Sequence, residues 1–566
     1  MIFQFLYQLY TMSIYRYTTF VTSFLTISDN YETDVSRRMD KFMQIIESGI
    51  QICVYGDEST IDLLINNVSP YSNVKIMKLF DVNKSHTALC CKNIDFKLPL
   101  YNNPIKDTTN YMILLNSKIE IVYDTIVHNP WNTKYFAWID SSIPFIFNDM
   151  SLCIDNLHRI GNLDSNRIFL AIPGCSQKLP TDMTDILFSQ IYWRFCGDFF
   201  IGDKDSIIQL YDLQMAKFST FINHYKVIIW EVNFWSWLES NTDWNPSWYL
   251  ANHNDSIIQL PSEFFYNSLS SISKSISYPY PTMNSFFPGS ASYLKHNGQH
   301  FLNTRYINYT IQNKHFIFHD SNNKIITKNV LATLDDNLIP IDFHEMIDPP
   351  ISFDSLYFQG IEDIRLYSFL NLIHFIGTST SHSIDGKNLM VKGIYDVINF
   401  KLIDSRMIES PYNQSCEKNW TPIISSINGF EKELFIYQWS PFEIYEVVQN
   451  KLQIQFSHKV LSPIFSKFRG SSTFCPSGNI LIGVVHFSEN EFLDRKYFHS
   501  LVTLDATSLL PLKFSNPFFF GIEPTIEFCI GFSISDTQYN FWISQHDSNP
   551  LLISLPMQSI PISNDA

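Results

Sequence analysis

Two hydropathy patterns share this chain, and the switch from one to the other constrains the fold more than any single motif. From about Arg16 to Leu260, apolar strand-like runs alternate with helical ones: "YTTFVTSFL" (17–25), helical "RRMDKFMQIIESG" (37–49), "IQICVYG" (50–56), helical "NYMILLNSKIEIVYDTIV" (110–127) and "YFAWID" (135–140). Such alternation predicts a mostly parallel sheet with helices on its faces, whose ligands sit beyond the carboxyl ends of the strands. After "LPSEFF" (260–265) and the Ser-rich "NSLSSISKSIS" (267–277), helical patterns become scarce. Short aromatic and β-branched strands then recur between turn residues, as in "RLYSFLNLIHFIGTS" (365–379), "ELFIYQWSPFEIYEVV" (433–448), "NILIGVVHFS" (479–488) and "FHSLVTLDATSLLPL" (498–512). An all-β domain follows, and a propeller suits roughly 300 residues better than one sandwich. The expected divisions are an N-terminal extension (1–15), an α/β domain (16–262), a linker (263–280) and an all-β domain (281–566).

With 566 residues, 45% hydrophobic and 17% charged, the chain can bury large cores, and its size favours two or more domains. A formal charge of -16 argues against nucleic acid as a partner, because phosphate neutralisation needs a basic face. Small anions remain accessible to local Arg, Lys and backbone amides. The nine cysteines form no CxxC pair and no zinc spacing, which fits reduced thiols in a cytosol-like compartment, the host cytoplasm if the chain is viral. Asn67-Val-Ser and Asn308-Tyr-Thr permit glycosylation without showing secretion. The opening "MIFQFLYQLYTMSIYR" is interrupted by Gln4 and Gln8 and ended by Arg16, so no transmembrane segment or signal peptide is expected there. An anchor, or a start at Met12, is the alternative.

Asp140, in "KYFAWIDSS" (134–142), leaves the end of an apolar run directly before two serines. That is where an open α/β sheet holds its ligand; a turn or helix N-cap is the alternative role. Gly197, Asp198, Gly202 and Asp203 precede the helical "KDSIIQLYDLQMAKF", where glycines allow close approach and a helix N-terminus offers free amides. Trp230, Trp235, Trp237, Trp244 and Trp248 crowd one region; most are expected in the core, with one or two free to stack on a sugar.

"KDTTNYMILLNSKIEIV", "NPWNTKYFAWID", "GDFFIGDKDSI", "WEVNFWSWLE" and "WYLANHNDSII", in that order over residues 16 to 260, resemble the HtrL/YibB family, which is similar to GT-A glycosyltransferases. The resemblance implies a GT-A-like nucleotide-sugar-binding domain. Lys106, Asp107, Asn116, Lys118 and Asp140 would bind the donor, and Gly197, Asp198, Trp230 and Asn233 the acceptor. Asp140 and His253, with Asp255 nearby, would hold Mn2+ or Mg2+ against the donor diphosphate. The usual Asp-x-Asp is absent, since the third position is Ser142. That departure implies either one strand-end carboxylate at the metal or no metal. "WEVN" reads as a Trp-acid strand after a glycine turn and a helix. It would place Glu231 as the catalytic group near the transferred sugar, or, structurally, as a buried acid paired with Arg194 or Lys226.

In the second half, "LNTRYINY" (302–309), "GIEDIRLYSF" (360–369), "CEKNWTPI" (416–423), "FRGSS" (468–472), "VVHF" (484–487), "RKYFHSLVTLD" (495–505) and "GIEPTIEFCIGFSISD" (521–536) resemble five-bladed propellers of the mannoside phosphorylase and mannosyltransferase group. "EDIR" departs from the more familiar "EDPR". Giant-virus proteins carry such a domain, and the Ile, Asn, Phe and Lys bias suits an AT-rich genome. The resemblance implies Asp363 as proton donor in a sugar site with Glu362, Arg365, Glu417, Lys418, Asn419 and Glu527. Arg469, His486, Arg495, Lys496 and His499 would form an anion pocket. A structural salt-bridge network is the alternative for each member.

The leading expectation is a glycosyltransferase moving a hexose from a nucleotide-sugar donor to a glycan acceptor, with a propeller that binds or modifies the glycan. The alternatives are a propeller-borne phosphorylase or sugar-phosphate-dependent mannosyltransferase, and a non-catalytic glycan-binding protein. No feature sets an oligomeric state.

Overall fold

The structure is a computed structural model. It describes residues 17–26, 35–312, 315–320, 324–355, 357–383, 385–427, 430–490 and 495–566; the expected extension at 1–15 lies outside them. The chain divides into two compact units, residues 1–265 and 266–566.

Unit 1 is built from β1 (Thr18–Phe24), α1 (Val35–Glu47), β2 (Ile52–Gly56), α2 (Ile61–Val68), β3 (Val74–Leu79), α3 (His86–Cys91), α4 (Thr109–His128), β4 (Tyr135–Ile139), α5 (Met150–Gly161), β5 (Leu170–Gly174), β6 (Phe199–Asp203), α6 (Lys204–Tyr225), α7 (Glu231–Asn241) and β7 (Ser247–Leu250). The seven strands form one sheet in the order β3-β2-β1-β4-β6-β5-β7. It is parallel except for β6, which runs antiparallel to β4 and β5. The order reverses between β1 and β4, which opens the crevice where sheets of this class take ligands.

Residues of the central strands bury both faces, and alternation sorts them. Val21, Phe136 and Trp138 pack with α4, α6 and α7, while Phe20, Tyr135, Ala137 and Ile139 pack with α1 and α5. Each fully buried Phe or Ile contributes roughly 1.5–3 kcal/mol. Helix α4 is capped by Thr108, whose hydroxyl accepts from the Tyr111 N–H at 3.3 Å, and stopped by left-handed Asn129. Its buried positions run almost all round the helix and include Asn116 and Lys118.

"WEVN" is the start of α7 rather than a strand. A short apolar run is ambiguous between the two, and an acid at the first helical position is favoured by the helix dipole. The nine cysteines are free thiols. Among the described residues no helix is long and apolar enough to cross a membrane.

Unit 2 is all-β and propeller-like. Four of its sheets follow the regular four-strand path: Phe287–His296 through Pro340–Glu345, Glu362–Phe369 through Lys401–Met407, Thr421–Ile427 through Lys451–His458, and Glu527–Ile534 through Ser548–Pro556 closed by Lys274–Ile276. The strands Ile480–Glu489 and Lys496–Asp505 belong instead to an eight-stranded sheet that recruits Asn267–Ser268 and Ile562–Asp565. Four regular blades therefore replace the expected five. Residues 267–276, expected as linker, supply strands to two of these sheets.

Asp348, after the last strand of the first sheet, has a buried Oδ1 with no hydrogen-bond partner. Burial, with Glu345 nearby, pushes its carboxyl up to about 7. The unfolded chain ionises first, near pH 4, so this residue's contribution is intact below that pH and declines as pH rises towards 7. Denaturant titrations of the full chain at pH 4.5 and 7.5 are expected to show Asp348→Asn gaining stability over the natural protein at the higher pH only, by on the order of 2 kcal/mol.

Candidate functional site

The strand-end acid of β4 does not stand alone. Ile139 pairs with Phe199 across the antiparallel β4–β6 ladder, so the next residues out, Asp140 and Asp198, face each other, and the Asp140 N–H donates to the Asp198 carbonyl at 2.9 Å. Their carboxyl groups are hydrogen-bonded to one another. Two like charges opposed on adjacent strands repel unless a proton or cation is shared. Burial, aided by Asp198 and opposed by Lys118, pushes Asp140 up to about 7. Burial works against ionisation of Asp198 too, yet hydrogen bonds with His253 and Asp140 hold it well below the ordinary carboxylate range.

Asp140 is fixed from within. Trp138 lies two residues earlier on the same strand face, and its Nε1 donates to Asp140 Oδ1 at 2.7 Å. Lys118 Nζ donates to Asp140 Oδ2 at 3.2 Å, to the Gly197 carbonyl at 2.9 Å and to Glu231 Oε1 at 2.9 Å. Lys118 and Glu231 are each 3% exposed. The partner of Glu231 is thus Lys118, neither Arg194 nor Lys226; Arg194 instead grips Glu239 through two hydrogen bonds of 2.9 and 2.7 Å. The two carboxylates outweigh the desolvation of Lys118 and raise its pKa.

His253 closes the outer side: its Nε2 is 2.9 Å from Asp198 Oδ2, and its side chain is 54% exposed. The hydrogen bond to Asp198 raises its pKa against burial, and Lys106 pulls it back, so Lys106 stands within electrostatic reach. The Asp255 carboxylate instead accepts from the Asn148 and Asp149 N–H groups, a structural role.

Several expected contacts are spent inside the protein. The Asn116 amide donates to the Met112 and Ile229 carbonyls, and Asn233 ties Tyr192, Leu187 and Gln190 together. Asp107 is buried and accepts from the Asn103 N–H and from Trp230 Nε1. Trp230, Trp235 and Trp244 are buried, with Trp237 and Trp248 packed against the same core. Two residues outside the sequence reading are of interest, Trp193 beside His253 and Arg38 at the end of β1. Trp193 is 37% exposed, with its ring 5.7 Å from that of His253. The Arg38 guanidinium sits 4.7 Å over Phe24 at the end of β1, within electrostatic reach of Asp57 and Tyr111. "YWRFCGD" carries a signal for Trp193, an aromatic just ahead of a Gly-Asp turn; none marks Arg38.

Among the described residues no three His, Cys, Asp or Glu side chains are already gathered about one point for a cation. The contact chain Asp140–Asp198–His253 nevertheless presents two hard carboxylates and an imidazole, donor chemistry that suits Mn2+ or Mg2+. Asp198, expected in the acceptor set, stands just before β6 and beside Asp140, where Ser142 brings no second acid.

Unit 2 gathers a separate polar cluster. Arg305, within "LNTRYINY" but not singled out as a site residue, bonds Asp363 Oδ1 at 2.9 Å and lies 3.3 Å from Glu362 Oε1. Lys418 is 3.4 Å from Glu362, and the Tyr309 hydroxyl donates to Asp547 at 2.8 Å. Asp363 holds a left-handed φ of 52° at the bulge between Glu362 and Arg365, a conformation that re-aims its side chain. Burial opposes its charge, but Arg305, Lys418 and Arg365 keep its pKa low, the reverse of a proton donor's need. Burial raises Asp547 instead.

Of the residues expected to form an anion pocket, Arg469 and His486 pair across adjacent strands, as do His486 and His499. Arg365 is buried and donates to the carbonyls of Asp363, Gly470 and Ser471 and to the Asn419 side chain. His486 and His499 are buried with depressed pKa values, which leaves them neutral, while Arg469 and Arg495 are exposed. Glu417 binds Ser410, Trp420 and Tyr437, and Glu527 accepts the Phe520 and Gly521 N–H groups and Gln545.

Residues 6–229 match the family described as "Bacterial protein of unknown function (HtrL_YibB)". No curated protein matches the chain. Among solved structures, β-1,2-mannobiose phosphorylase from Listeria innocua is similar at 12% identity, covering 50% of this chain and 93% of its own, with a TM-score of 0.35. The GH43_1 enzyme from Xanthomonas citri, complexed with xylotriose, is similar at 7%, covering 50% and 91%, with a TM-score of 0.33. 4-Diphosphocytidyl-2C-methyl-D-erythritol synthase from Anaerococcus prevotii is similar at 9%, covering 42% and 90%, with a TM-score of 0.23.

Gly197 is required by the ion pair behind the site: a Cβ there would stand 2.0 Å from Glu231 Oε1 and 3.3 Å from Lys118 Nζ. Gly197→Ala is expected to lower stability by on the order of 2–3 kcal/mol. Thermal unfolding of the full chain checks this, and an unchanged midpoint contradicts the placement of Glu231.

Proposed function

We propose that unit 1 is a GT-A type glycosyltransferase that moves a hexose from a nucleotide sugar to a glycan hydroxyl, and that unit 2 binds or modifies the glycan. The observation that carries this is the meeting of Asp140 and Asp198 at the ends of β4 and β6, with His253 outside them and the Lys118–Glu231 pair inside. Their position beside the β1/β4 reversal supports a ligand role, because a strand-end crevice at such a reversal gives a ligand access without breaking the sheet.

A departing nucleoside diphosphate develops charge that must be neutralised. When bound, Mn2+ or Mg2+ supplies that positive charge. Asp140, Asp198 and His253 would hold the cation. Lys106, within electrostatic reach of His253, would meet a donor phosphate, and the half-exposed Trp193 ring beside His253 would stack on a ring. Glu231 sits behind Gly197 and acts on the site through Lys118, so it is a positioning residue rather than a group touching the sugar.

A second reading gives the chemistry to unit 2, as a phosphorylase or sugar-phosphate-dependent mannosyltransferase. The strained Asp363 among Arg305, Glu362, Lys418 and Asp547 favours it, since charges gathered in this way are costly unless paired or ligand-bound.

A screen of nucleotide sugars with Mn2+ or Mg2+ is expected to show slow donor hydrolysis, reduced on the order of a hundredfold in both Asp140→Ala and Asp198→Ala. Absence of turnover with every donor, together with phosphate release from mannose-1-phosphate and mannan oligosaccharides that Asp363→Asn abolishes and Asp140→Ala retains, would move the activity to unit 2. Glycan binding without turnover on either substrate class would leave the protein a non-catalytic binder.

A further inference from the structure

We propose that Lys118 is a built-in counter-cation of the unit 1 site, which holds Asp140 away from a bare divalent ion and so makes cation binding depend on a nucleoside diphosphate arriving with it. This rests on the donor-site reading above and goes beyond it by assigning how the cation is admitted.

An ammonium has three N–H donors, and all three of Lys118 are taken by Asp140, Gly197 and Glu231. None remains for a phosphate oxygen in this arrangement, whereas the sequence resemblance implies Lys118 on the donor. Its side chain is 4% exposed and its Nζ lies 5.5 Å from the centre of the Trp138 ring, so solvent screens it weakly. Both Asp140 oxygens already accept hydrogen bonds, Oδ1 from Trp138 and Oδ2 from Lys118. Gly197 lets the Glu231 carboxylate close on the ammonium from the other side, which anchors it there.

The acids Asp140, Asp198 and Glu231 thus face one permanent positive charge, with His253 at the rim. A divalent ion approaching Asp140 meets the Lys118 charge one carboxylate away. The ammonium weakens the pull of Asp140 on the bare ion, and diphosphate oxygens that share the ion make up for it. The chemistry recognised is a divalent cation already bound to a nucleoside diphosphate.

Calorimetric titration tests this on the full chain, using MnCl2 alone and MnCl2 with UDP or GDP. The natural protein is expected to bind Mn2+ weakly by itself and more tightly with the nucleotide. Lys118→Met is expected to bind Mn2+ alone at least about tenfold more tightly, with the nucleotide-dependent gain correspondingly smaller. If a lone buried Glu231 prevents that variant from folding, Lys118→Met/Glu231→Gln leaves no uncompensated acid at position 231 and carries the same expectation, because Asp140 Oδ2 is again released. An unchanged or weaker affinity for Mn2+ in the folded variant overturns the inference. If the natural protein meanwhile binds UDP or GDP with Mn2+, the donor-site reading stands without it. If it binds neither nucleotide but the variant gains Mn2+ affinity, the donor-site reading falls and the role of Lys118 stands.

Discussion

A single buried ammonium organises the α/β unit. Placing the Lys118 charge inside a helix-covered sheet costs several kcal/mol in lost hydration, and only close carboxylates with full hydrogen bonding offset such a cost. Asp140 and Glu231 supply the charges and the Gly197 carbonyl completes the shell. Those three partners come from the end of β4, the turn before β6 and the start of α7. One side chain on α4 therefore fixes the relation between four elements, and the site's geometry follows from satisfying it. The missing Cβ at position 197 is part of the same constraint.

From that inner pair the site grades outward in exposure. Lys118 and Glu231 are sealed, the side chains of Asp140 and Asp198 are about one-fifth and one-quarter exposed, and His253 is mostly in solvent. Rigid charge lies behind and reachable donors lie in front, the arrangement a site needs if it is to keep its electrostatics while exchanging ligands. The cluster in unit 2 is organised differently. There Arg305 and Lys418 neutralise Glu362 and Asp363 directly, and the strained backbone of Asp363 aims its carboxylate at Arg305.

Elements with long, regular patterns were legible in the sequence, and contacts that depend on register were not. The run "YFAWID" marked β4 and its terminal acid because five consecutive buried residues leave few other roles for a following Asp. Asp198 was visible only as part of a glycine-rich turn; its place opposite Asp140 comes from antiparallel pairing between strands far apart in the chain. Lys118 reads as a polar residue on a helix and turns out buried because α4 is covered almost all round. "WEVN" misled because four residues are too few to show a period, whereas the acid at a helix start was the better signal. In the β unit the strands were readable, but the recruitment of residues 267–268 and 562–565 into one sheet left no local mark, and the histidines at 486 and 499 carried no sign that burial would neutralise them.

The most direct test of the central claim is an anomalous-scattering map from crystals grown with Mn2+ and UDP or GDP. The account predicts a manganese peak within coordinating distance of Asp140 and Asp198, with His253 turned towards it, the diphosphate on its outer side and Lys118 still bound to Glu231. Nucleotide and metal lying elsewhere, with Asp140 and Asp198 still bonded to each other as in the free protein, would contradict it.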